Sequence, residues 1–203
     1  DLRRAIADEI AENYFEYFRQ LCHERGLTLS IEPYNLGGFD YFQIATVADI
    51  PMGEWWVNRP DAWHMWSSKL ASSAAHAMGR SVVGAEAFTA GPPHSAWNAH
   101  PYSLKTLGDR FLAQGVNRII FHTNVHQPWG PDVLPGMTMG PHGMQMHRNN
   151  TWHGEAREWV DHLARTQYLL QQGRFVADLC YLASEDVPQT PKNRGELKPE
   201  PPA

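Results

Sequence analysis

Apolar residues recur at three- and four-residue steps through Leu2, Ile6, Ile10, Tyr14 and Tyr17, the period of an amphipathic helix that closes at Gly26 after the basic turn of His23 and Arg25. Residues 27–31 then alternate apolar and polar, which predicts a strand delivering Glu32 and Pro33 at its end. Residues 34–58, with paired glycines and clustered aromatics, read as a long irregular connection of the kind that carries function. Asn58-Arg-Pro-Asp61 opens a second helix whose Trp63, Trp66, Leu70, Ala74 and Met78 share one face until Gly79. Residues 81–85 form a short apolar strand terminated by Glu86, and a helix over about 101–114 leads to a strand over 117–121 that ends in His122. After an aperiodic segment rich in Gly, Pro, Met and His (123–151), a helix over 155–172 and a strand over 175–181 complete the pattern.

Four predicted strands alternate with four helices, and apolar strands joined by helical crossovers pair in parallel. A doubly wound sheet would carry a glycine-rich phosphate loop after a strand, yet neither GxGxxG nor GxxxxGK occurs. A barrel instead sets its chemistry at the carboxyl ends of several strands, where Glu32, Glu86 and His122 fall. The expected fold class is therefore α/β, half of a (β/α)8 TIM-type barrel built from about four βα units. The chain opens on Asp1 inside a helix and closes in a Pro-rich tail, the pattern of a fragment of a larger protein with a partial barrel over 1–187 and a linker over 188–203.

With 203 residues, 42% of them hydrophobic, the chain has enough apolar surface for a core. A net charge of -5 without long runs of either sign gives no basic stripe for nucleic acid and no anchor for anionic membranes. Cys22 and Cys180 are too far apart in sequence to suggest a zinc site or a disulfide framework. No apolar run approaches the roughly 20 residues of a bilayer span. The 8 Trp and 11 His point instead towards a sugar cleft, where indole faces stack on pyranose rings and polar groups bind hydroxyls.

Cleavage of a glycosidic bond commonly needs one carboxylic acid and one carboxylate. Glu86, between Ala85 and Ala87-Phe88 at a strand end, is the leading catalytic candidate, against the alternative of a carboxylate that only binds a loop. Glu32 ends the preceding predicted strand and either contacts substrate or orients a loop. Glu54, beside Trp55 and Trp56 in an expected loop, suits a metal or a sugar hydroxyl. Asp40 and Asp49 lie near enough in sequence to add oxygen ligands for a hard cation such as Ca²⁺, although no EF-hand spacing is present. His122 and His126 either contact substrate or are ordinary loop histidines. Trp55, Trp56, Trp97, Trp129 and Trp152 fall off the helical stripes and are the ligand-facing indoles, whereas Trp63, Trp66 and Trp159 read as packing. Met137, Met139, Met144 and Met146 read as gap fillers under the long loop.

Four motifs together, Pro51-Met-Gly-Glu-Trp-Trp56, Val83-Gly-Ala-Glu-Ala-Phe-Thr89, Gly115-Val-Asn-Arg-Ile-Ile-Phe-His122 and Gln127-Pro-Trp129 with Pro135-Gly-Met-Thr-Met-Gly-Pro-His-Gly143, resemble glycoside hydrolase family 106, the α-L-rhamnosidases, over residues 29–181. The resemblance implies the C-terminal half of a catalytic barrel, with β-rich domains beyond the linker. It implies an inverting hydrolase that removes terminal α-L-rhamnose from plant polysaccharides or glycosides with the help of Ca²⁺. Glu86 would match the general base and Glu54 an acidic residue at the metal. Glu32, Trp55, His122, Trp129 and His142 would bind substrate. The catalytic acid would lie upstream of Asp1, so the partners would be a rhamnose-containing carbohydrate and the rest of the enzyme's own barrel and β domains. A periplasmic or extracellular setting follows from the substrate class. A barrel glycosidase acting on another sugar, and a non-catalytic or inactive sugar-binding fragment, stay open as alternatives.

Overall fold

The computed structural model describes residues 2–34, 39–57 and 62–182. Its first helix runs as α1 (Leu2–Ile10), a π-helical stretch (Ala11–Glu16) and α2 (Tyr17–His23), ending at Gly26 with φ +68°, as its sequence predicts. There follow β1 (Ser30–Ile31), α3 (Tyr41–Val47), β2 (Ile50–Trp56), α4 (Ala62–Ala77), β3 (Gly84–Thr89), α5 (Pro101–Ala113), β4 (Arg118–Phe121) and α6 (Ala156–Leu170). The four strands form one parallel sheet in the order β1-β2-β3-β4, so each crossover leads to the next neighbour and the winding never reverses.

Four expectations about the strands are corrected. The stretch read as irregular holds α3 and β2, because Asp40 caps a helix by accepting from the N–H groups of Phe42 and Gln43, and because β2 is covered on both faces and so lacks simple alternation. Conversely, residues 175–181 are not a strand. Phe175 stacks on His76 with ring centroids 3.8 Å apart, beneath Lys69 at 5.6 Å, which turns the chain away from β4 and leaves Val176, Leu179 and Tyr181 exposed. The expected strand over 27–31 narrows to two paired residues. The third strand starts three residues later than expected, so Glu86 lies within it rather than beyond it. The helix start at Asn58–Asp61 and the linker 188–203 lie outside the described residues.

Most of the core lies between the sheet and α4, α5 and α6: Trp55 stacks on Phe111 at 4.5 Å and meets Phe88 edge-on, with Ala85, Ala87, Leu104, Val116 and Trp159 around them. A second cluster joins α1 to α3 and α4 through Ala7, Tyr41, Ile44 and Ala74, with Trp66 against Tyr41. Trp66 and Trp159 thus pack as their helical spacing predicts. Of the loop methionines, Met144 is fully buried and Met146 packs on the core, while Met137 and Met139 are exposed. Both cysteines are free thiols.

Small residues bring α4 onto β2. A Cβ added at Gly53 would lie 2.5 Å from the Ser68 Cα, so only glycine permits this approach. It allows the Ser67 hydroxyl to donate to the Glu54 carbonyl and to accept from the Glu54 N–H, which pins the backbone at Glu54. On β3 a bulge intervenes: Glu54 pairs with Glu86 but Trp56 pairs with Thr89, giving β3 one extra residue. Phe88 takes φ +60° there and turns into the core, where a Cβ on Gly108 would meet its ring at 3.0 Å.

Candidate active site

The carboxyl ends of the strands bring four of the predicted residues together. Glu32 follows β1, while Glu54 and Glu86 are register partners on β2 and β3. His122 follows β4, its Nε2 4.0 Å from Glu86 Oε1. Thr89 Oγ1 donates to the same Glu86 oxygen at 2.5 Å, a contact made possible by the bulge that returns Thr89 to the face carrying Glu86. The Glu86 side chain is 28% exposed and that of His122 is 16% exposed, so the carboxylate can meet a ligand while its fixing partners are largely shielded.

Strand parity decides between the two neighbouring indoles. Trp56 shares the Glu54 face, and its Nε1 donates to Glu54 Oε1. Trp55 points the other way and is fully buried in the core, so its expected role in binding substrate is corrected to packing. His142 arrives from the long loop and meets the Trp56 ring edge-on at 5.5 Å, close to the mouth. Trp129 stands farther out in that loop, 48% exposed, its carbonyl held by Arg148. Trp152 donates its Nε1 to the Ala99 carbonyl and packs on the core, so it is structural rather than ligand-facing.

Sequence reasoning missed two residues. Tyr34 is buried beside the carboxylates; burial, then the charges of Glu32, Glu54 and Glu86, hold its phenol well above the ordinary value, so it stays protonated. Its only sequence signal was its place two residues after Glu32. Thr89 belonged to a recognised motif but had no distinct signal, because its aim depends on the bulge.

The mouth is crowded with negative charge. Glu32 opens towards solvent, yet partial burial and then the charges of Glu86 and Glu54 raise its carboxyl to about 7. A hard cation with oxygen ligands would relieve this repulsion, so the donor chemistry fits Ca²⁺. Among the described residues, however, no three His, Cys, Asp or Glu side chains converge as a metal-holding group. An ion here would take carboxylate oxygens from Glu54 and Glu32 and complete its shell with other oxygens. Asp40 and Asp49 are removed from the ligand set. Asp40 caps α3 and pairs with Arg4 at 3.5 Å. Asp49 lies at the opposite end of β2, held by Arg19, His23 and the Leu29 N–H.

Carboxylates presented by adjacent parallel strands to one mouth, with aromatic and imidazole groups around them, are the kinds of group that cleavage of a glycosidic bond calls for. The sequence model of glycoside hydrolase family 106, alpha-L-rhamnosidase, matches residues 1–203, and the chain belongs to that family. The structure is similar to that of a rhamnosidase from Novosphingobium sp. PP1Y, with a TM-score of 0.77 and 34% identity, over 85% of this chain and 17% of that one. A Formosa agariphila protein, provisionally named a beta-glucuronidase, is 44% identical over 198 residues, which is 98% of this chain and 16% of that protein. The chain thus spans about a sixth of the length of each relative.

Proposed function

We propose that these residues form the C-terminal half of a (β/α)8 catalytic barrel in an α-L-rhamnosidase that acts with inversion, with Glu86 as its general base. The observation that carries the reading is the placement of Glu86: half-buried on β3, fixed by Thr89, flanked by His122 and in register with Glu54. A sequential parallel sheet with its carboxylates at one end supports the barrel. In the reaction, Glu86 takes a proton from the water that attacks the anomeric carbon, while an acid carried outside residues 1–203 protonates the departing oxygen. His122, Trp56 and His142 bind and orient the sugar ring. Bound Ca²⁺ would supply a positive centre for the sugar hydroxyls, with Glu54 and Glu32 as its carboxylates on this chain. The substrate class sets the enzyme in the periplasm or outside the cell.

The name of the Formosa relative raises a second reading, cleavage of a glucuronide. A uronate in the mouth would face Glu32, Glu54 and Glu86, whose charges already disfavour one another, so a neutral deoxy sugar suits the cleaved position better. The test is release of nitrophenol from an aryl α-L-rhamnoside by the full-length protein, with calcium and then with chelator. Glu86→Gln should abolish turnover and leave rhamnose binding nearly intact. Unchanged turnover would remove Glu86 from the mechanism, and release from the aryl glucuronide alone would select the second reading.

A further inference from the structure

Beyond the mouth, the loop after β4 forms an open surface cavity of about 480 Å³ lined by Asn124, Val125, His126, Gln127, His147, Arg148 and His153. Its size is within the range of small-ligand sites. Asn124 to His126 follow His122 by two to four residues, and at about 3.8 Å per residue the lining starts within roughly 15 Å of the residue beside Glu86. The lining contains one guanidinium, three imidazoles and two carboxamides but no carboxylate. It is therefore the electrostatic opposite of the mouth.

The cavity is built rather than incidental. His147 is 3% exposed, its Nδ1 accepts from the Asn149 N–H at 3.4 Å, and its ring meets Trp97 edge-on at 5.2 Å. That bond leaves Nε2 as the protonated donor of a neutral imidazole; Nε2 and His153 Nδ1 are shut off from solvent with no hydrogen-bond partner among the described residues, so both rings form the rigid wall of the depression. Burial, then the charges of His153 and Arg148, hold His147 below its ordinary value and so keep it neutral. Arg148 is anchored by the carbonyls of Gln127 and Trp129, which fix its guanidinium at the rim. A metal does not explain the cluster, since no three of the described His, Cys, Asp or Glu side chains converge on one point. A fixed guanidinium among imidazoles and carboxamides, with no carboxylate in the lining, is matched by an oxyanion.

We propose that this cavity is a specificity subsite for an anionic sugar, receiving the carboxylate of a uronic acid or a sulfate ester on the residue next to the one cleaved in the mouth. The assignment rests on the rhamnosidase reading for what is cleaved, but not for what the cavity binds. It divides the labour of the site: Glu32, Glu54 and Glu86 reject an anion at the cleaved position, while Arg148 and His126, both exposed in the lining, select one beside it.

The test uses the full-length protein and titrates glucuronate, glucose 6-sulfate and glucose by calorimetry, in wild type, Arg148→Gln and His126→Ala. Glucuronate or the sulfate ester should bind at least tenfold more tightly than glucose, and whichever does so names the anion. Both variants should reduce that preference by about tenfold; His126→Ala guards against a loop collapse caused by removing the Arg148 anchor. Among rhamnosyl disaccharides, kcat/KM should favour the charged neighbour over its carboxyl-reduced or desulfated form, and the variants should narrow that ratio. Equal binding of the three sugars, or an anion preference that neither variant alters, would overturn the subsite. Absence of rhamnoside cleavage with the anion preference intact would count against the rhamnosidase reading alone.

Discussion

Gly53 is the most exacting position next to the site, and replacing it with alanine tests whether the contact of β2 with α4 governs Glu54. An added Cβ would sit 2.5 Å from the Ser68 Cα, 2.7 Å from its N and 2.8 Å from its Oγ. Carbon atoms ordinarily rest about 3.5–4 Å apart, so α4 would have to withdraw by roughly 1 Å or more. Two of the three obstacles are backbone atoms, so no side-chain rotation relieves the clash. Overpacking of this kind costs about 1–3 kcal/mol, and the rigid obstacle puts Gly53→Ala near the top of that range. Lower entropy in the unfolded chain returns up to about 1 kcal/mol, leaving a net loss near 2 kcal/mol. For a cooperative unit of this size the loss amounts to about 4–8 °C in Tm. Ser67 also moves, weakening its two bonds to the Glu54 backbone, so rhamnoside turnover should fall beyond any loss of folded protein. Calorimetric melting and kcat of the full-length protein would be compared with Gly154→Ala, where an added Cβ meets nothing within 4 Å. If Gly53→Ala matches the Gly154 control in both readouts, α4 does not pin Glu54 and the argument fails.

Charge at the mouth and at the far end of β2 gives opposite pH responses. Glu32 has its carboxyl raised to about 7 from 4.5, so it costs nothing at low pH and destabilises the fold increasingly as pH climbs through that interval. The full shift would be worth about 3 kcal/mol, but the group's exposure reduces this to roughly 1 kcal/mol. In chelator, Glu32→Gln should therefore melt a few degrees above wild type at pH 8 and equal to it at pH 4.5; no gain at pH 8 would show that the crowding is not felt. At Asp49, burial alone would raise the carboxyl, but the Leu29 N–H, His23 and Arg19 together hold it below the ordinary range. Its stabilisation is present at neutral pH and lost as pH falls through the lowered value, so Asp49→Asn should lower Tm at pH 7 by an amount that shrinks towards pH 3. A constant difference across pH would refute the pairing. Trp55→Ala should cost about 3–5 kcal/mol, the price of truncating a buried aromatic, and leave little folded protein, whereas a folded variant with impaired sugar binding would return Trp55 to the ligand.

The four expected helices were legible because each carries a 3.6-residue stripe, and Gly26, Gly79 and Gly173 end three of them at positive φ, whereas the short α3 stayed hidden in the stretch read as irregular. Parallel pairing was legible from helix-strand alternation. β2 was hidden because its period is not 2: buried on both faces, Pro51-Met-Gly53 offers no alternation, and proline and glycine suggested a loop. The same property disguised the indoles. Once β2 is known to be a strand, parity alone puts Glu54 and Trp56 on one face and Trp55 on the other. Residues 175–181 failed in the reverse direction, since their composition suits a strand but Phe175 is captured by His76 and Lys69 before any pairing with β4 begins.

The bulge on β3 was beyond any local reading, because the residue that takes the left-handed conformation is Phe88, where propensity favours glycine or asparagine. Such a departure from the local rule persists only if surrounding structure imposes it. The ring of Phe88 meets Trp55, Phe121 and Trp159 at 5.3, 6.0 and 5.5 Å, and the missing side chain of Gly108 makes room for it. Those contacts hold Phe88 in the core, and holding it there is what turns Thr89 back onto the face of Glu86. The packing around one phenylalanine and the aim of the candidate base are therefore set by the same contacts, which is why the carboxylate could be found from its place in the chain but its hydroxyl partner could not.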